Sequence, residues 1–369
     1  MHLLRQLLFP FSLLYAIIIF VRNYLYDNRI LKSTTFTTPV ICVGNINTGG
    51  TGKTPHVEFC IETLSTHFTV AVLSRGYGRK TKGFVIIREG MAATDCGDEP
   101  LQMFAKFKNV SFYVGENRVK AIQQIIEKQN PQVIIMDDGL QHRAVNPSLK
   151  IMLTAYYDLF LDEYFLLPAG NLREHKNRAR ANDVIIISKT PTEATQEEKN
   201  KTQKRVDDFL HTYFPGQDIA KTFFSSYSYG LLYHINDVSN KLDFQSLKNY
   251  HVITFAALAK PEAFQTYLQN FANQTTHLSF ADHYQFTEND LQKLVEVFNA
   301  TNTSQKIIVT TEKDFARLSH PSLKKIIEQL PVYILPVTVE FTLEDKKTIQ
   351  ELLINHVREN KNNSQVHYR

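Results

Sequence analysis

The sequence predicts an α/β protein whose main domain is a mostly parallel sheet covered by helices on both faces. Apolar or β-branched runs recur at "TPVICVG", "FTVAVLS", "QVIIMDD", "LKIMLTA" and "NDVIIIS". Strands buried on both faces read this way, whereas a half-exposed strand alternates. Between most of them lie stretches of helical spacing such as "PHVEFCIETLSTHF" and "ENRVKAIQQIIEKQN", the alternation expected of parallel crossover units. A glycine-rich turn, "VGNINTGGTGKTPHVEF", joins the first apolar run to the first helical segment.

With 369 residues and 43% hydrophobic content the chain can bury more than one core. From Leu7 to Val21 it carries no charge, between Arg5 and Arg22, and Tyr24 and Tyr26 follow. As a helix that run reaches about 22 Å, short of the roughly 30 Å hydrocarbon core. Pro10 fits a first helical turn. With no small-x-small cleavage site after it, export is discarded. Residues 1–30 are therefore expected to form a membrane-associating interfacial helix with an aromatic and basic collar, the alternative being a helix buried on the protein core.

Residues 31–222 read as the main domain, closed by an exposed helix in "TPTEATQEEKNKTQKRVDDFLHTYF". Alternating aromatics in "TFFSSYSYGLLYHIND" lead to a second series, "HVITFAALAKPEAFQTYLQNF", "KIIVTTEKDFARL" and "PVYILPV", read as a smaller α/β domain over 223–350. Residues 351–369 read as a polar tail expected to fray. Cys42, Cys60 and Cys96 are odd in number and lack Cys-x-x-Cys spacing, which excludes a disulfide framework or zinc site and suits a reducing cytoplasm. A net charge of +4 is too small to argue for nucleic acid, yet it suits a phosphorylated substrate or an anionic membrane surface.

A strand, then glycines, then Lys-Thr opening a helix is the context of a phosphate-binding loop. Asn47, Thr48, Gly49, Gly50, Thr51, Gly52, Lys53 and Thr54 form the expected cradle, with Lys53 reaching the β- and γ-phosphates and Thr54 placing its hydroxyl on Mg²⁺. Asn47 stands where the usual pattern has its first glycine. The loop also resembles the Gly-Gly-x-Gly-Lys-Thr variant of arsenite-pump and septum-site ATPases, with Thr48 replacing their lysine. Asp137 or Asp138, where an apolar run ends, is the expected metal partner. "ISKTP" lacks the aspartate of a guanine-reading motif, so ATP is the expected nucleotide.

Asp98 in "CGDEP" reads either as a helix N-cap or as a base for a hydroxyl proton. Asp282 and His283 in "FADHYQF" offer a further acid and imidazole. Arg118 and Arg173 are candidates for clamping phosphate. "SRGYGRK", interleaving Arg75, Tyr77 and Arg79 with glycines, reads as a functional loop.

"VGNINTGGTGKTP", "LSRGYGRK", "GDEP", "MDDGLQH", "LPAGNLRE", "DHYQF" and "TTEKD" occur in this order over most of the chain. Together they resemble the tetraacyldisaccharide 4'-kinase family of lipid A biosynthesis. The resemblance implies a P-loop NTPase-like fold and ATP- and Mg²⁺-dependent phosphorylation of the 4'-hydroxyl of an acylated glucosamine disaccharide 1-phosphate, at the cytoplasmic face of the inner membrane. It implies that His283 orients or tunes Asp98, that Lys53 acts in catalysis, and that Arg118, Gln141, His142, Arg173 and Glu174 line the site. No nucleic acid and no obligate protein partner are expected. In "FAALAKPEAF", Ala257 and Lys260 depart from the family's Gly-Ile-Gly/Ala-Asn-Pro-like turn. Two other readings stand beside this one: a membrane-associated ATPase switch that recruits a protein, and a soluble small-molecule kinase or ligase.

Overall fold

The apolar N-terminal run forms helix α1 (Phe9–Asp27), which starts with proline in its first turn, as expected. The computed structural model describes residues 8–213, 220–258, 261–282 and 284–366. At 19 residues α1 is about 28 Å long, longer than the uncharged run alone. Its polar side chains point into the protein. Ser12 Oγ accepts the Ala169 N–H at 2.8 Å, the Tyr15 hydroxyl donates to the Arg173 carbonyl at 3.0 Å, and Asn23 is buried. Its apolar side chains point out: Phe11 is 61% exposed, Leu14 57%, Ile18 56% and Phe20 69%. A core helix has the opposite arrangement, so the alternative of a helix buried on the protein core is not realised.

Eight strands form the main sheet: β1 (Val40–Asn45), β2 (Val70–Ser74), β3 (Val85–Ile86), β4 (Ser111–Val114), β5 (Val133–Asp137), β6 (Leu149–Ala155), β7 (Val184–Ser188) and β8 (Lys221–Phe224). Their spatial order is 3-4-2-5-1-6-7-8, with β3 the antiparallel member. Helices α2 (Lys53–Ser65), α3 (Asp98–Lys106), α4 (Arg118–Gln129) and α5 (Gln196–Tyr213) fall between them. Ile41 and Val43 of β1 share a core with Val57, Ile61 and Leu64 of α2, while Val40 and Cys42 pack with Ile122 and Ile125 of α4. Successive side chains thus find apolar partners on opposite faces, which is why these strands lack polar alternation.

After β8 the chain crosses through β9 (Ser226–Tyr229) into the second domain. Its sheet comprises β10 (Leu232–His234), β11 (Asp237–Leu242), β12 (His251–Ala256), β13 (Gln274–Ser279), β14 (Lys306–Thr311) and β15 (Val332–Leu335), in the order 11-10-15-14-12-13. Helices α6 (Glu262–Gln269), α7 (Glu288–Ala300), α8 (Glu312–Arg317) and α9 (Pro321–Ile327) accompany it. The chain returns through β16 (Val337–Glu340), which pairs antiparallel with β9.

The last segment corrects the expected boundaries of 223–350 and 351–369. Helix α10 (Leu343–Val366) packs back on the main domain, and Ile349, Leu353 and Val357 are fully buried in the core shared with α2. Those three apolar residues are spaced by one turn and form a narrow stripe on an otherwise polar helix. The surrounding charges made the segment read as a frayed tail.

Where the domains meet, Glu58 of α2 accepts hydrogen bonds from Lys106 Nζ at 2.6 Å and Gln102 Nε2 at 3.1 Å, and Lys106 lies 3.5 Å from Glu312 of α8. Burial pushes the Glu58 carboxyl up to about 7, against the pull of Lys106 and with a further push from Glu312. A raised carboxyl holds a proton in the folded chain that the unfolded chain has released, so its contribution to stability falls as pH rises between about 4.5 and about 7. The melting temperature of the protein minus that of Glu58→Gln is therefore expected to fall from pH ~5 to ~8. Thermal melts across that range check it, and a difference that is flat or rises contradicts it.

Candidate active site

The glycine loop sits at the carboxyl end of β1, between β5 and β6, while the next strand in sequence, β2, lies beyond β5. Such a reversal of strand order opens a crevice above the sheet. Asn47 is fully buried, its main chain bridges to Leu172, and its Nδ2 donates to the Asp158 carbonyl at 3.3 Å. The Thr48 N–H donates to the Asn171 carbonyl at 2.6 Å, and Ser188 Oγ donates to the Thr51 carbonyl at 2.7 Å. Both ends of the loop are therefore fastened, and Gly49 and Gly50 are exposed between them. Gly52 has φ of +80°, and a Cβ there would collide with the Tyr227 hydroxyl on the crossover ribbon, so backbone and space both demand glycine. Lys53 and Thr54 open α2 directly after it.

The acids stand beside the loop because β1 and β5 are paired with Val43 opposite Asp137. Asp137 is buried; its Oδ2 accepts from Ser74 Oγ at 2.7 Å, and its Oδ1 has no hydrogen-bond partner among the described residues. Burial, then the charges of Glu99 and Asp138, push its carboxyl up to about 7. Asp138, at φ +48°, turns the other way, and its carboxylate lies 3.7 Å from Lys53 Nζ and 3.1 Å from Arg173 Nη1. Lys53 Nζ is also 3.4 Å from Asn45 Oδ1, so the lysine lies back along β1.

Around this centre the structure gathers most of the expected residues. Gln141 Nε2 donates to the Asn45 carbonyl at 2.6 Å, bracing the loop's entry. His142 is held near 4 by burial and by the charges of Arg118 and Arg75, so it is a neutral ring at physiological pH. Arg118 is 2% exposed; its Nη1 donates to the Gly115 carbonyl, its Nε and Nη2 lack partners among the described residues, and burial brings its guanidinium down to about 10. Arg75 is exposed on the rim, and Tyr77 projects outward at 73% exposure.

Glu174 is buried, and its carboxylate accepts from Arg22 and from Asn23 Nδ2 of α1, the latter at 2.9 Å. It fastens the apolar helix to the segment that carries Arg173. Asp98 is the first residue of α3, and the N-cap is Gly97 with no side-chain cap, so the capping reading of Asp98 is not what the structure holds. Gly97, at φ +95°, packs its Cα side against Gly76, which brings the "SRGYGRK" loop to Asp98. His283 and Lys260 lie outside the described residues.

Sequence reading missed several neighbours. Glu99 stands next to Asp98 in the same quoted block, Ser74 immediately precedes Arg75, and Asp314 and Arg317 lie within "TTEKDFARL". Lys189 of "ISKTP", in a left-handed conformation at φ +55°, places its Nζ 3.6 Å from where a Gly50 Cβ would be and 5.5 Å from the Tyr227 ring centre.

A fastened glycine loop at a parallel sheet's carboxyl edge, with Lys-Thr opening the next helix and acids on the adjoining strand, defines a P-loop phosphotransferase. Residues 4–358 match the family model of tetraacyldisaccharide-1-P 4'-kinases. A protein of Bacteroides thetaiotaomicron named tetraacyldisaccharide 4'-kinase is 37% identical over 98% of this chain and 95% of its own length. Its namesake in Flavobacterium johnsoniae is 37% identical over 98% and 99%. A solved structure of LpxK from Aquifex aeolicus in complex with ATP is 31% identical and superposes with a TM-score of 0.72, covering 96% of this chain and 99% of that one. The chain belongs to the tetraacyldisaccharide 4'-kinase family and is an ATP-dependent kinase of lipid A biosynthesis. The ATPase-switch alternative finds no support among these relatives.

Replacing Lys53 by alanine removes a charge-assisted contact to phosphate, an interaction worth about 1.5–3 kcal/mol. ATP affinity measured by calorimetry is expected to fall about 10- to 100-fold, with the melting temperature little changed. Unchanged affinity contradicts the assignment of the loop.

Proposed function

We propose that the protein transfers the γ-phosphate of ATP to the 4'-hydroxyl of a tetraacylated glucosamine disaccharide 1-phosphate, giving the 1,4'-bisphosphate, at the cytoplasmic face of the inner membrane. One observation carries this reading: α1 shows its apolar side outward while Arg22, Asn23 and Tyr15 tie its polar side to Glu174 and Arg173, beside the phosphate loop. A peripheral or monotopic helix of this kind brings a lipid acceptor from the bilayer to a nucleotide arriving from water. A groove beside α1 supports the same reading. Ala16, Ile19, Phe20 and Tyr24 line it together with Asp27, His175 and Arg178, and since Arg178 lies 3.5 Å from Asp27 it is the apolar wall that suits an acyl chain.

Main-chain N–H groups of Gly49, Gly50 and Gly52 and the start of α2 hold the polyphosphate, while the Thr48 and Thr51 N–H groups fasten the loop to Asn171 and within itself. Lys53 exchanges its place beside Asp138 for the β- and γ-phosphate oxygens, where its charge offsets the charge that builds during transfer. The residues fit Mg²⁺: Asp137 has a buried oxygen without a partner among the described residues, Glu99 lies close enough to raise it, and Thr54 opens the adjoining helix. Mg²⁺ takes one or two carboxylates together with substrate phosphates rather than an all-protein cage, and among the described residues no group of three or more His, Cys, Asp or Glu forms such a cage. Asp137 and Thr54 would hold the ion; Asp138 is turned towards Lys53 and Arg173. When bound, the ion neutralises phosphate charge.

Arg173 and Arg118 steady the anionic oxygens of nucleotide and acceptor. As the acceptor oxygen forms its bond to γ-phosphorus, the bond from γ-phosphorus to the β-bridging oxygen breaks and ADP departs. Asp98 receives the hydroxyl proton, with His283 as its orienting partner. In a loose transition state that proton moves late, so positioning dominates.

Label from [γ-³²P]ATP is expected to appear on the disaccharide 1-phosphate lipid in detergent; a nucleotide-binding preparation that transfers none contradicts the function. Asp98→Ala is expected to keep ATP affinity and lose about 10²- to 10⁴-fold in turnover, read by the same assay. Turnover within about 3-fold of the parent would return Asp98 to a structural role. Ile18→Glu with Phe20→Glu places charges on the outward face of α1. In flotation with anionic vesicles the variant is expected to stay at the bottom of the gradient while keeping ATP affinity, and undiminished flotation contradicts the membrane role.

A further inference from the structure

Resting on the reading of Asp98 as the proton acceptor, we infer that Arg317 of the second domain is a positioning residue that sets the Asp98 carboxylate and makes turnover depend on the second domain's seating. Arg317 ends helix α8, and its side chain is fully buried. Its Nε donates to Asp98 Oδ2 at 2.8 Å, across 219 residues of sequence. Its Nη1 donates to Asp314 Oδ1 at 2.9 Å and to the Ala257 carbonyl at 3.2 Å. The planar fork therefore reads three oxygens at once, something a lysine's single ammonium does less strictly.

Asp314 is itself fixed, since its Oδ2 accepts from Thr311 Oγ1 at 2.7 Å and from the Ala257 N–H at 3.2 Å. Asp314 and Ala257 thus lock the guanidinium from the second-domain side, and the Nε is left aimed at the first domain. The same short helix also reaches the segment that ends at Asp282. Lys313 Nζ lies 3.8 Å from Asp282, the residue before His283. Helix α8 also begins with Glu312, which meets Lys106 at the other end of α3. One helix of the second domain thereby grips α3 at its first and last residues. The departure at Ala257 from the family's turn leaves these bonds intact, because only its main chain takes part in them.

A carboxylate that must meet a hydroxyl at bonding distance loses about 100-fold in rate for a misplacement near 1 Å. Arg317→Gln is expected to lower kcat about 10- to 100-fold while ATP affinity stays within about 3-fold. Arg317→Lys is expected to retain more kcat than the glutamine variant. The decisive readout is a double-mutant cycle in single turnover: on an Asp98→Asn background, Arg317→Gln is expected to change the rate less than about 2-fold. Losses that multiply, or a kcat for Arg317→Gln equal to the parent's, overturn the inference. Should Arg317→Gln fail to melt cooperatively, Arg317→Lys carries the same cycle. An active Asp98→Asn overturns the reading of Asp98 itself; an impaired Asp98→Asn beside an unimpaired Arg317→Gln overturns this inference alone.

Discussion

The Asp138 carboxylate draws Lys53 to within 3.7 Å and Arg173 to within 3.1 Å, and the site is organised around that small cluster. Lys53 comes from the glycine loop after β1, Asp138 from the turn after β5, and Arg173 from the segment tied to α1. The turn that makes this possible is strained, because Asp138 sits at φ +48° with its N–H donating to the Val43 carbonyl. A non-glycine residue held in that region costs about 1–3 kcal/mol and persists only where its surroundings insist on it. The outcome is a divided pair: Asp138 turns to the cations, while Asp137 stays buried with an oxygen lacking a partner among the described residues.

The remainder of the fold brings two surfaces to that cluster. From one side α1 arrives turned inside out for a soluble protein, its few polar residues spent on Glu174, Arg173 and the Ala169 N–H. From the other side the second domain arrives through the β9–β16 ribbon and through α8 on α3. The ribbon touches the loop directly, as Tyr227 closes over Gly52 and the ring of His56 bridges the Gly52 carbonyl at 2.7 Å and Ser225 Oγ at 2.9 Å. Helix α1, the glycine loop and the second domain therefore meet around the cluster of Lys53, Asp138 and Arg173.

Legibility in the sequence followed locality. The main-sheet strands were legible because both their faces are buried, and the glycine loop because its spacing is set by the phosphate group it cradles. The crossover through "TFFSSYSYGLLYHIND" was legible as strands for its alternation. Residues whose meaning depends on distant partners were not. The ties of Glu174 to helix α1 could not be read, because nothing local names Arg22 and Asn23 as its partners, more than 150 positions earlier. Arg317 was passed over for the same reason, since its partner Asp98 lies 219 positions away. Helix α10 hid its role because Ile349, Leu353 and Val357 are a thin apolar stripe in a charged segment.

The central claim is that the cationic cluster on Asp138 is a phosphate site, and a structure with a non-hydrolysable ATP analogue and Mg²⁺ tests it most directly. The distance to read is Lys53 Nζ to Asp138. The account predicts that the lysine leaves Asp138 for the β- and γ-phosphate oxygens, with the triphosphate lying on the N–H groups of Gly49, Gly50 and Gly52. A triphosphate bound elsewhere, with Lys53 still beside Asp138, would contradict it.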